Sequence, residues 1–206
     1  MENEFFKIFD DGRNEIGVAS RSDVHKFGYW HETFHCWFVT KHRGIDCIYF
    51  QLRSDLKEDY PNLLDITVAG HLTANERVED GVREIKEEVG IDVPFHDLEQ
   101  LGIMEYCVTK EDFIDKELAH VFLYKCEHNL NDFIVQSDEV SGMAIAKLND
   151  FRELWLGEKK TIEVSGFKID KEGNRHRYVE SVGKDKFVPH QLSFYKDVIQ
   201  KIREKI

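Results

Sequence analysis

Residues 83–91 read Arg83-Glu84-Ile85-Lys86-Glu87-Glu88-Val89-Gly90-Ile91, three carboxylates and one guanidinium in two helical turns ahead of a glycine. At 3.6 residues per turn, Glu84, Glu87 and Glu88 stand at i, i+3 and i+4, so all three emerge on one face. Val78, Val82, Ile85 and Val89 recur at i, i+4, i+7 and i+11, an apolar stripe about 140° around the helix from the acids. One face anchors the helix and the other looks into a cleft. Like charges at i and i+4 destabilise a bare helix by roughly 0.2–0.5 kcal/mol per pair. A hard divalent cation removes that penalty: carboxylate oxygens suit Mg²⁺ or Mn²⁺, and Mg²⁺ completes its octahedron with waters and phosphate oxygens. Arg83 reaches Glu87 at i+4 and can hold it in place. The plain alternative is a solvated acidic helix face, the usual fate of a charge run.

With Gly70 and Glu76 upstream, these residues resemble the signature of the Nudix hydrolase family: Gly, five residues, Glu, seven residues, then Arg-Glu-apolar-x-Glu-Glu-x-Gly-apolar. Gly70 to Glu76 fits the first interval and Arg83 to Ile91 fits the second half throughout. Six residues, not seven, separate Glu76 from Arg83, and Asn75 stands where a glycine commonly precedes the Glu. One residue lost inside an α-helix rotates the remainder of that helix by about 100°, so the deletion belongs in the loop or first turn, before the acids. The resemblance implies an α/β (α+β) fold, an α/β/α sandwich with a mixed β-sheet. It also implies a Mg²⁺- or Mn²⁺-dependent hydrolase of a nucleoside diphosphate derivative or related organic diphosphate, using a metal-activated water. In that scheme Glu84, Glu87 and Glu88 are metal ligands, Arg83 orients them, and Ala69 contributes its backbone carbonyl. Glu76 is a further candidate for metal or substrate. A non-catalytic nucleotide-binding module of the same fold is the alternative from another class, though such modules generally lose the box acids.

Trp30-His31-Glu32-Thr33-Phe34 and Leu64-Asp65-Ile66-Thr67-Val68-Ala69-Gly70-His71 look like the branch that includes isopentenyl-diphosphate isomerase. That isomerase has a cysteine immediately before the Gly-His pair, where this chain has Ala69. A methyl group cannot exchange a proton, which counts against isomerase chemistry. Glu117 resembles the glutamate the isomerase supplies from a later strand. His31 and His71 fall where it has metal-binding histidines, with His25 nearby, so an imidazole metal site stands beside the reading of these side chains as loop and strand contacts. Glu87, Glu117 and Glu139 are the candidates for general base, geometry being decisive.

The 206 residues, with 41% hydrophobic and 12% aromatic content, suit one compact enzyme, and three prolines leave no room for a proline-rich linker. We expect a single domain: an N-terminal hairpin and short helix over 1–29, a core over 30–157 and a C-terminal extension over 158–206. A net charge of −12 argues against binding a nucleic-acid polymer but not a small diphosphate, whose charge bound cations offset. Cys36, Cys47, Cys107 and Cys126 form no paired motif and read as reduced, buried thiols. With no apolar run of membrane length and no leader pattern at Met1-Glu2-Asn3-Glu4, the expectation is a cytoplasmic protein without a membrane partner.

Strands are expected over Phe5–Phe9, Glu15–Ala19, Phe34–Thr40, Cys47–Leu52, Ile66–Ala69, Glu99–Val108, His120–Cys126 and Met143–Lys147, with short helices from Ser20 to Phe27 and Asp150 to Leu156. Thr161–Ile169 and Arg175–Val182 read as a hairpin. Pro189 opens a last helix with the stripe Leu192, Tyr195, Val198, Ile199 and Ile202. Docking on the sandwich is the simplest role for this extension; a homodimer contact or a wall of the substrate pocket is the sharper one. The loops Arg53–Pro61 and Thr109–Lys116 are the expected carriers of substrate specificity.

Overall fold

The computed structural model describes residues 4–110 and 113–206; of the expected loop over Thr109–Lys116, Glu111 and Asp112 lie outside it, and the rest is not loop but the paired ends of two strands, Thr109 opposite Ile114 and Lys110 opposite Phe113. Strands β1 (Phe5–Phe9) and β2 (Glu15–Ser20) form the expected hairpin. Ser20 caps α1 (Arg21–Phe27), accepting from the Asp23 amide, and Gly28 ends it in the left-handed region at φ 67°.

The centre is β3 (Trp30–His42), which pairs in parallel with β8 (Phe113–Lys125) from Trp30/Lys116 to Val39/Lys125. On its other edge β3 pairs with β4 (Ile45–Arg53) only at the hairpin end, Val39–His42 against Ile45–Ile48. The two strands then part. Thr67 stands in the gap, its hydroxyl accepting from the Phe38 amide at 3.0 Å and donating to the Tyr49 carbonyl at 2.6 Å. One side chain thus replaces the missing ladder bonds, as a buried backbone requires. Beyond it the short β5 (Leu64–Asp65) takes over pairing with β4, and β6 (Val68–His71) pairs with β3 at Thr33–Cys36. The expected strand over Ile66–Ala69 is therefore two short strands around Ile66 and Thr67, because this segment switches partners.

β7 (Glu99–Lys110) closes on β8; β9 (Val140–Lys147), β10 (Ile162–Ile169) and β11 (Arg175–Val182) extend the sheet beyond β4. Helix α2 (Arg83–Val89) covers one face, with Ile85 and Val89 packed among Phe34, Cys36, Phe38 and Phe122. Helices α3 (Leu148–Leu156) and α4 (Leu192–Arg203) cover the other, over Trp37, Val121 and Leu123. This is the mixed-sheet α/β/α sandwich with N- and C-terminal extensions. The last helix begins at Leu192 rather than at Pro189, and Leu192 is 46% exposed; Phe194 takes its place in the core. Cys36, Cys47 and Cys126 are buried and Cys107 half-buried, all free thiols.

Val78–Val82 is a 3-10 turn running directly into α2. Five 3-10 residues turn the chain by about 600° and advance it about 10 Å; six α residues turn it by about the same 600° over about 9 Å. The tighter winding therefore absorbs the one-residue shortening and leaves the acids facing the same way.

Candidate active site

Alternation along β6 divides the site in two. Gly70 faces α2, and a Cβ placed on it would lie 2.2 Å from Glu84 Cδ, so the close approach of strand and acid requires glycine here. Ala69 and His71 point to the opposite face of the sheet.

On the helix side Arg83 is the hub. Its Nε donates to Glu76 Oε1 at 2.5 Å and its Nη2 to Glu76 Oε2 at 3.1 Å, a two-pronged clamp. Its Nη1 donates to Glu84 Oε1 at 2.7 Å and Glu87 Oε2 at 2.9 Å, and its Nη2 also reaches the His71 carbonyl at 3.3 Å. The Thr73 amide donates to Glu76 at 2.7 Å. Held by Arg83 and that amide, Glu76 is pulled down to about 2. Burial pushes Glu84 up to about 7, with the neighbouring Glu87 charge adding to the effect. Glu88, 6% exposed, is pushed well above the usual range by burial and by Glu84, while accepting from Gln51 Nε2 at 3.1 Å and the Ala69 amide at 3.3 Å. The Glu87 side chain is 52% exposed against 13% for Glu84. The three acids thus share one face of the helix but not one environment. Glu139 lies in the turn before β9, its carboxylate paired with Lys57.

On the other face the parallel register of β3 and β8 sets His31 beside Glu117, with Asp115 one alternation away. His25 from α1 and His71 from β6 complete a cluster whose four ligand atoms lie within 4.8 Å of one another. The outer nitrogens of His25 and His31 are tied to the Arg21 and Tyr29 carbonyls, at 2.8 and 3.2 Å, which turns both Nε2 atoms inward. Phe6 stacks on both His31 and His71. His31 Nε2, His71 Nε2 and Asp115 Oδ1 are buried without a hydrogen-bond partner. Burial lowers the pKa of His31, and burial together with His31 lowers that of His71 well below its ordinary value, favouring neutral imidazoles; burial and Glu117 raise that of Asp115. Three imidazoles and one carboxylate are positioned to chelate a divalent metal.

Glu117 lies beside this cluster, accepting from Thr33 Oγ1 at 3.2 Å, with His35 Nε2 at 3.2 Å. Burial works against its charge, but the His35 hydrogen bond and charge outweigh it and hold the carboxyl below its ordinary value.

Of the residues singled out in sequence, Arg83, Glu84, Glu87, Glu88, Glu76 and the Ala69 backbone meet at α2. His31, His71 and Glu117 meet across the sheet. Asp115, His35 and Gln51 escaped sequence reasoning. The readable signals were alternations, His31-x-Thr33-x-His35 and Asp115-x-Glu117, which on neighbouring strands put side chains on one face.

An acid-bearing helix thus lies against a glycine-bearing strand, next to a His/Asp cluster positioned to chelate a divalent metal. The family model for the NUDIX domain matches residues 30–164, and the chain belongs to the Nudix hydrolases, which act on diphosphate linkages. It is 37% identical over 206 residues to an uncharacterized Nudix hydrolase of Clostridium acetobutylicum, covering 99% of both chains. Similarity to isopentenyl-diphosphate Delta-isomerase 2 of Photorhabdus laumondii is weaker, 27% over 153 residues, 74% of this chain and 82% of the other. A crystal structure of a Deinococcus radiodurans protein shares the fold at TM-score 0.54 and 17% identity, over 75% of this chain and 90% of that one. No helix among the described residues is long and apolar enough to cross a membrane.

Proposed function

We propose that the protein is a Mg²⁺-dependent hydrolase that cleaves the diphosphate linkage of a nucleoside diphosphate derivative or related organic diphosphate. The observation that carries this reading is the Arg83 hub, which gathers Glu76, Glu84, Glu87 and the His71 carbonyl on one guanidinium. Glu84, Glu87, Glu88 and the Ala69 carbonyl form an all-oxygen donor set that suits Mg²⁺. The His25, His31, His71 and Asp115 set, richer in nitrogen, suits Mn²⁺ or another transition ion. Bound ions would neutralise the phosphates and lower the pKa of a water.

The chain's own residues supply the rest. Arg83 fixes the carboxylates before substrate arrives, so little reorganisation accompanies reaction. Glu87 is the box acid open to solvent and the candidate to accept the proton of the attacking water. A panel of nucleoside diphosphate sugars, oxidised nucleotides and prenyl diphosphates, assayed with Mg²⁺ or Mn²⁺ and products identified by mass, tests the reading. Absence of any phosphate-bearing cleavage product would overturn it.

An isomerase-like enzyme is the second reading, favoured by the buried Glu117–His35 pair beside the imidazole cluster. Ala69 argues against it, and a prenyl diphosphate whose double bond moved without hydrolysis would be its signature.

A further inference from the structure

The chain beyond the family-matched region returns to the site. After β11, Phe187 bridges to Leu64, the Val188 amide donates to the Leu64 carbonyl at 2.9 Å, and Tyr195 Oη donates to the Val188 carbonyl at 2.7 Å. This tethers residues 187–190 along β5 and delivers His190 to Asp65, Nε2 to Oδ1 at 2.7 Å. Asp65 also accepts from the Ile66 amide at 2.8 Å and from Arg53 Nη1 at 3.0 Å. A carboxylate held by these donors only accepts, so Nε2 of His190 carries the proton. Nδ1 points away from Asp65, is buried, and has no hydrogen-bond partner.

The ring lies against Tyr106 at 5.0 Å and Phe194 at 5.2 Å. Tyr106 is the cross-strand partner of Glu117, and Phe194 packs edge-on to His35. His190 is therefore part of the wall that contains the Glu117–His35 pair, supplied from outside residues 30–164. An oriented imidazole with one nitrogen committed and the other unmet favours a ligand that completes it, since a buried polar atom without a partner is unfavourable.

Given the diphosphate site proposed above, we propose that His190 is a specificity-determining residue whose Nδ1 accepts a hydrogen bond from a hydroxyl of the organic group on the diphosphate, selecting sugar- or nucleoside-type groups over hydrocarbon ones. Glutamine is the discriminating substitution, because its amide reaches Asp65 as Nε2 does but places no acceptor where Nδ1 stands. The probes are the methylene analogue of a nucleoside diphosphate sugar, which carries hydroxyls, and methylenediphosphonate, which carries no organic group, each titrated with Mg²⁺ by calorimetry. His190→Gln is expected to retain the wild-type methylenediphosphonate affinity while binding the sugar analogue about 3- to 20-fold more weakly.

In the wild-type protein, the His190 Nδ1 nitrogen resonance is expected to shift with the sugar analogue and not with methylenediphosphonate, a readout that stands even where the variant fails to fold. Equal loss for both probes, no loss for either, or an unmoved Nδ1 resonance overturns the role of His190 and leaves the diphosphate site standing. Failure of the wild-type protein to bind methylenediphosphonate with Mg²⁺ overturns the diphosphate reading and the role of His190 with it.

Discussion

Replacing Glu84 by Gln should stabilise the metal-free protein at neutral and alkaline pH while removing its response to Mg²⁺. Glu84 is enclosed beside Gly70, and burial lifts its carboxyl from an ordinary 4.5 to about 7. A group raised on folding contributes stability that is fully present below its unfolded pKa and lost as pH rises through the folded one. The window is thus from 4.5 to about 7, and at about 1.4 kcal/mol per pH unit the loss saturates near about 3 kcal/mol. Glutamine has no such charge to bury and can still accept from Arg83 Nη1. In urea titrations of EDTA-treated protein, E84Q should exceed wild type by about 1 kcal/mol at pH 5 and about 3 kcal/mol at pH 8. Saturating Mg²⁺ should stabilise wild type, since an ion that binds only the folded state does so by mass action, and should do much less for E84Q. A difference that stays flat with pH, or a variant less stable than wild type at pH 8, would refute the claim that this carboxylate is held at an energetic loss for the sake of a cation.

Glu87→Gln should leave the urea midpoint unchanged, its side chain being half exposed, and lower the rate of Mg²⁺-dependent phosphate release by about 10²- to 10⁴-fold; wild-type turnover would remove it from the mechanism. Gly70→Ala places a Cβ against Glu84 and should destabilise the fold by about 1–3 kcal/mol, read from denaturant curves, while weakening Mg²⁺ binding. Asp115→Asn should cut Mn²⁺ retention, measured by plasma mass spectrometry after dialysis, by more than the roughly 10- to 100-fold that loss of an outer partner brings, with Mg²⁺ affinity little changed. Asp65, buried, is nevertheless pulled to about 2 by His190 and Arg53, so its contribution is present above its ordinary 3.8 and lost as pH falls toward 2. Asp65→Asn should erase roughly 1–1.5 kcal/mol of acid sensitivity between denaturation at pH 4 and at pH 2.5.

The helix-side acids were readable because their arrangement is local. Spacing within two turns fixes which way Glu84, Glu87 and Glu88 leave the helix, and Gly70 to Glu76 is one short connection. Burial is not local, so the different environments of Glu87 and Glu88 could not be read from spacing. The shortened interval before Arg83 showed as an irregularity; its resolution by 3-10 winding depends on how Gly81 and Val82 pack against Phe34 and its neighbours. Asp115 was invisible because its meeting with His25, His31 and His71 is made by the parallel pairing of two strands far apart in the chain, which no short window contains. Leu192 failed as a core residue for a related reason: the stripe it extends has the right period, but it is the first residue of the helix and is 46% exposed.

The two donor sets meet at the four residues of β6. Ala69 gives its amide to Glu88, Gly70 leaves the space that Glu84 occupies, and His71 sends its ring to the imidazole cluster while its carbonyl accepts from Arg83. Because side chains alternate across a strand, one short segment serves both faces of the sheet without either set of ligands crossing the core. That economy has a mechanical consequence. β6 is bonded to β3 on one edge and stands where β3 and β4 have parted, so its position is set by Thr33–Cys36 on one side and by Thr67, Gln51 and the acids of α2 on the other. A cation held by Glu84 and Glu88 would pull on the same backbone that aims His71. If both sets take ions as proposed, they would be coupled through the backbone of β6 as well as through charge.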